Sequence, residues 1–122
     1  DAQPLRVQRL LDGLQADGSA AVLVHWALAE DIRALWRVKN ELALGKPLPL
    51  ALREQRVWGG REKRFERLLP RLGLAQLERW LLDAHTVDGI VKGLRHPDWP
   101  AHPWQALERL AQQVAQGCAL AR

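Results

Sequence analysis

The stretch "AAVLVHWALAEDIRALWRVKNELAL", Ala20–Leu44, decides the fold. Its first half, "AVLVHWAL", is apolar all round, the composition of a helix buried on every side. Its second half is amphipathic. Ile32, Leu35, Trp36, Leu42 and Ala43 share one side, and Arg33, Arg37, Asn40 and Glu41 the other. Gly45 and Pro47 stop it, and Ser19 is placed to cap its start.

Upstream, Pro4 suits the first turn of a helix whose apolar stripe is Leu5, Val7, Leu10, Leu11 and Leu14, and "ADGSA" breaks it. Downstream, "KPLPLALREQR" reads as a proline-set linker with one or two helical turns, followed by a break at "VWGG". A helix starts near Arg61, and Pro70 ends or kinks it, because proline removes a backbone donor and clashes with the preceding turn. After Gly73 a long helix runs from about Ala75 to Leu94, with Leu77, Leu81, Ala84, Val87 and Val91 inward. "RHPDWPAHP" is a stiff loop, and Pro103 opens a last helix with Trp104, Leu107, Leu110, Ala111 and Val114 on one face.

Leucine and alanine dominate, β-branched residues are few and no alternating pattern marks a strand. The expected architecture is one all-α domain over 1–122, a bundle of five or six helices. The longest apolar run, "AAVLVHWALA", is too short to span a bilayer, and no signal peptide opens the chain. The chain starts at Asp1 and contains no methionine, which reads as a piece of a longer protein. Cys118 is the only cysteine, so no disulfide forms within the chain; this fits a reducing, cytoplasmic compartment.

The sequence carries no phosphate-binding glycine loop, no dinucleotide fingerprint and no zinc-protease motif. Ser19, the single serine, is explained as a cap, so no nucleophile set is assigned. His96, Asp98 and His102 share one loop, but its prolines stiffen it and the spacing fits no zinc pattern. No catalytic, cofactor or metal residue is therefore named. His25 reads as a hydrogen-bonded core histidine. Asp88 falls on the apolar stripe of its helix and needs a partner, since an unpaired buried charge is costly. Arg33, across on the second helix, is the expected partner, with Lys92 as the local alternative.

Charge is concentrated in one place. Residues 53–71 hold seven bases and three acids, a surplus equal to the whole formal charge of +4. Arg61, Arg64, Arg67 and Arg71 fall on one side of that helix, beside an apolar side of Phe65, Leu68, Leu69 and Leu72. Such a surface is a solvated face, a phosphate-facing surface or an interface for an acidic partner.

Four segments in order carry a resemblance. "VLVHWALAEDIRALWRVK" is similar to an apolar helix running into E-I-R-x-L…K, and "RVWGGREKRFERLLPRL" to V-W…R…AL-x-R-L. "LLDAHTVDGIVKGL" is similar to A…I-D-x-x-I-K-G, and "PWQALERLAQQVA" to a closing P-W-x-x-L-x-x-L. Together, from about Leu5 to Ala115, they resemble the C-terminal collar domain of the bacterial DNA polymerase III delta subunit, of the clamp-loader family. Departures are Gly73 at a frequent capping serine, Pro70 inside a usually continuous helix, and a longer loop before "PW".

The resemblance implies a domain that joins the collar formed with gamma/tau and delta prime subunits and supports loading of a sliding clamp onto primed DNA. The clamp itself would be met by an N-terminal domain absent from this chain. It implies no cofactor and no membrane partner. It also places the collar near the primer-template junction, which makes Trp58, Trp99, Arg56 and Arg61 candidates for DNA contact. For Trp58 the other reading is packing on the bundle, and for Trp99 a loop anchor between prolines. Trp26, Trp36, Trp80 and Trp104 are assigned to core or inter-subunit packing. The alternative from a different class is a free-standing helical adaptor.

Overall fold

The computed structural model of the chain describes residues 21–120. Among them are five α-helices and no strand: α1 Ala21–Ala43, α2 Leu48–Glu54, α3 Gly60–Leu68, α4 Leu74–Val91 and α5 Pro103–Leu120. A 3-10 turn, Leu69–Arg71, follows α3. The fold is all-α. The helix expected from Pro4 and the cap at Ser19 lie outside the described residues. None of the described helices is long and apolar enough to cross a membrane.

The long opening helix forms as its pattern dictates, and its end shows why. Lys46 N–H donates to Glu41 C=O at 3.0 Å and Gly45 N–H to Leu42 C=O at 3.0 Å, with Gly45 at φ 95°. This is a Schellman closure, which leaves few last-turn carbonyls unpaired and favours glycine at the left-handed position. The same closure ends α4: Leu94 N–H reaches Gly89 C=O at 2.9 Å and Gly93 takes φ 101°. The helix therefore stops at Val91, three residues before the sequence expectation.

The linker after α1 holds a seven-residue helix, α2, opened by prolines at and after its N-cap. Pro70 acts as expected: α3 ends at Leu68 and the chain tightens into the 3-10 turn. The core joins α1 to α4 and α4 to α5. Its largest fully buried side chains include Ile32, Val38, Leu52, Leu69, Leu72, Leu77, Ile90, Leu107 and Leu110.

On α4 Leu77, Ala84 and Val87 are buried as expected, and the stripe extends further to one side. Trp80 and Ile90 are buried, while Leu81 and Val91 are half-buried beside them. Trp80 seats over α5 at Gly117, where a Cβ would clash with the indole edge, 2.4 Å from Cζ2. Only a residue without a side chain allows the two helices to approach this closely.

Candidate interaction surfaces

The basic region is built on the α2–α3 loop. α2 closes with Val57 N–H on Leu52 C=O at 2.9 Å and Arg56 N–H on Arg53 C=O at 3.0 Å. Arg56 thus occupies the position that glycine fills after α1 and α4, at φ 58°. Val57 is buried as an anchor, the next residue turns outward, and Trp58 is left 62% exposed. Gly59, at φ 65°, then turns the chain into α3. Of the two sequence readings of Trp58, packing on the bundle does not hold.

Arg61 is committed elsewhere. Its Nη2 donates to Asp31 Oδ1 of α1 at 2.8 Å, and its guanidinium lies 5.4 Å from the Phe65 ring centroid. It thereby fastens the start of α3 to α1. Phe65, Leu69 and Leu72 are buried and Leu68 is half-buried, so the apolar side of this segment faces the core as read from the sequence. Lys39 reaches from α1 to the Leu69 carbonyl and ties down the 3-10 turn.

Arg61, Arg64, Arg67 and Arg71 border a groove of about 840 Å³ whose apolar wall includes Leu28, Ile32, Leu35, Phe65, Leu68 and Val114. The α3 arginines therefore stand around an apolar trough as well as facing water. Cys118 lies at this groove, and burial raises its thiol above the ordinary range. A protonated thiol is a poor nucleophile, so the residue behaves as a small apolar group.

Trp99 is a loop anchor. It is half-buried against the core, and the Arg109 guanidinium covers one ring face at 4.2 Å from the centroid. Arg109 is itself fixed by donating to the Asp98 carbonyl at 2.6 Å. In the same loop His96 Nδ1 accepts the Asp98 amide at 3.1 Å, and His102 Nδ1 accepts the Trp104 amide at 3.2 Å. Each histidine acts as a local cap, His102 at the start of α5. The described residues contain no group of three or more potential metal ligands.

The expected Arg33–Asp88 pair is corrected by the geometry. Arg33 bonds Glu30, one turn back on α1, at 3.2 Å. Asp88 takes Lys92 at 2.9 Å, the local alternative, and its other oxygen lies 3.8 Å from His25 Nδ1. The reason is position: Asp88 sits at the border of the stripe with its side chain 36% exposed, so a neighbour one turn on reaches it through water-accessible space. The Lys92 hydrogen bond, against partial burial, holds the Asp88 carboxyl below its usual range. His25 is the buried histidine that its apolar setting implies, with Nε2 2.7 Å from the Ala84 carbonyl. Nε2–H donates there and links α1 to α4.

Arg33 and Asp88 do share a smaller groove of about 260 Å³ between α1 and α4, bordered by Trp26 and His85. Trp26, assigned from the sequence to core or subunit packing, stands 61% exposed at its edge, while Trp80 is core and Trp36 and Trp104 are half-buried. Trp58 and Arg56 lie in the α2–α3 loop, Arg61 follows in the first turn of α3 turned toward Asp31, and Trp99 belongs to the α4–α5 loop. Comparison with models of protein families, with curated proteins and with solved structures finds no match to the chain.

Proposed function

We propose that this chain is a helical assembly domain of the clamp-loader collar type, contributing to placement of a sliding clamp on primed DNA. The observation that carries the reading is the arginine-bordered apolar groove of α1, α3 and α5. It combines burial surface with a cationic edge, the composition that docks a partner helix and fixes its register. The four ordered segment resemblances supply the family. The chemistry is helix packing, with no reacting group.

Co-elution tests it. The 122-residue chain, mixed with gamma/tau and delta prime clamp-loader subunits, is expected to enter one complex on size exclusion. R64E, at the groove edge, is expected to weaken that entry. Elution of the chain apart from the subunits overturns the reading and leaves the free-standing adaptor.

A second reading rests on Trp58, open to water beside Arg56. An exposed ring in the one basic region suits stacking on an unpaired base with phosphates held nearby. In a collar this would be an accessory contact to the template strand.

A further inference from the structure

A half-helix that is apolar all round is normally covered on all sides. Among the described residues only part of it is covered: Val22, Leu23 and Trp26 stand 50%, 68% and 61% exposed, and Leu82 of α4, one turn before the groove residue His85, stands 65% exposed. Val22 and Trp26 border the groove of about 260 Å³ between α1 and α4, with Leu81, Ala84 and His85 on its far wall. We propose that this α1–α4 face pairs with a second copy of the chain in a two-fold dimer, each Trp26 seated in the other copy's groove. The proposal is independent of the clamp-loader reading and uses a different face.

Three properties select a second copy. The first is shape. A two-fold interface places the same patch on both partners, so it needs a projection and a hollow side by side. Trp26 and the groove it borders are such a pair. The hollow also falls below the roughly 300–1,000 Å³ of small-molecule sites, so it suits one large side chain better than a ligand.

The second is area. At their exposures the four side chains leave roughly 450–500 Å² of apolar surface open, near the apolar share of the ~800 Å² each partner buries in a standard interface.

The third is charge. Glu30 pairs with Arg33 and, through its other oxygen, with Arg37; Lys92 pairs with Asp88; and the chain's surplus lies on residues 53–71. Two copies meeting here bring together nearly neutral surfaces, with little repulsion and little pull on a polyanion.

Sedimentation velocity on the 122-residue chain alone, from low micromolar to near-millimolar concentration, tests this. The expected result is a concentration-dependent dimer that persists at high salt, because its contacts are apolar. W26E and, separately, L82E are expected to weaken it by about 30-fold or more, the scale of losing a tryptophan anchor. Both side chains are exposed, so helical circular dichroism stays unchanged in each variant. R64E, on the α3 face, is expected to leave the dimer intact. A chain that stays monomeric throughout overturns the proposal. So does a dimer that resists both W26E and L82E, or one that R64E dissolves.

Discussion

Trp26 and Trp58 are almost equally exposed, yet they stand on opposite kinds of ground. Trp26 projects from the second turn of a 23-residue helix, one turn on from Val22 and Leu23, beside charges that are largely paired. Trp58 projects from a loop between two short helices, after an arginine in a left-handed conformation, within the only basic region. An exposed tryptophan by itself does not identify a partner. A rigid, neutral, apolar setting selects another folded surface, since burial area and shape then decide affinity. A cationic loop setting selects a polyanion with flat bases, since phosphate attraction and stacking then decide it.

The sharpest way to break this comparison is to loosen the ground beneath Trp26. α4 forms one wall of the Trp26 groove, and α5 holds it from behind through Trp80 over Gly117. Gly117→Ala places a methyl 2.4 Å from Cζ2 of the buried Trp80 ring, so the ring or the helix must shift. Alanine usually gains about 1 kcal/mol over glycine within a helix. Here a loss of about 2–3 kcal/mol is expected from overpacking, read as a lower urea midpoint. A neutral or stabilising Gly117→Ala would show that α4 slides freely on α5, and the Trp26 face would lose its claim to rigidity.

The next test exchanges the two rings. Trp58→Ala is expected to weaken binding of a single-stranded oligonucleotide by about 1–3 kcal/mol, the worth of one stacked base, measured by fluorescence anisotropy at low salt. Trp26→Ala should leave that affinity unchanged, because no surplus of positive charge surrounds it. Equal losses from both substitutions would erase the distinction between the two settings.

A smaller effect separates stability from charge at Arg56. A non-glycine residue in the left-handed region carries a cost of about 1–2 kcal/mol, partly offset by the unfolded-state freedom that glycine adds. Arg56 holds a Schellman closure whose hydrogen bonds are backbone groups, so glycine keeps them all. Arg56→Gly is therefore expected to raise stability by about 0.5–1 kcal/mol in thermal denaturation and, in the same protein, to weaken oligonucleotide binding with a shallower salt slope. A variant that is less stable would mean that the arginine side chain supports the turn.

Which of these features the sequence reveals depends on how local their causes are. The helices follow from periodicity and from Gly45, Pro47, Pro70 and Pro103, whose effects reach only a turn or so along the chain. The end of α4 was missed because Gly93 is a stop only when Leu94 and Gly89 close the loop. The sequence assigns Trp80 to core or inter-subunit packing and it is core, but its seat over Gly117 is not legible there, because that contact lies far along the chain on α5. Arg56 gave no signal, since left-handed arginine has no compositional mark. Asp88 was expected to need a cross-helix cation because Leu77, Leu81 and Ala84 put it on a buried stripe. Leu77 and Ala84 are buried as read, but Leu81 is half-buried and Asp88 sits at the border with it, where Lys92 suffices. Trp26 is the instructive case: an all-apolar segment states that its faces want cover, and it is silent on whether the same chain provides it.

The smallest expected effect concerns the neutrality of the Trp26 face. Asp88 is held below its ordinary range first by the Lys92 hydrogen bond, then by the charges of Lys92, His25 and His85. A carboxyl depressed in the folded state stabilises fully above its unfolded value, near ~3.9, and loses that contribution as pH falls through the folded value. Because its side chain is 36% exposed, solvent screening keeps the pair at the scale of a helix-surface ion pair, about 0.3–0.5 kcal/mol. Asp88→Asn should lower stability by that amount at neutral pH, run parallel to the parent above about pH 5, and flatten the acid limb below about pH 4. An unchanged acid limb would assign the acid sensitivity to other carboxylates. The same protonation reaches the comparison itself: once Asp88 is neutral, Lys92 stands uncompensated, and the α1–α4 face acquires the positive sign that otherwise distinguishes the surroundings of Trp58.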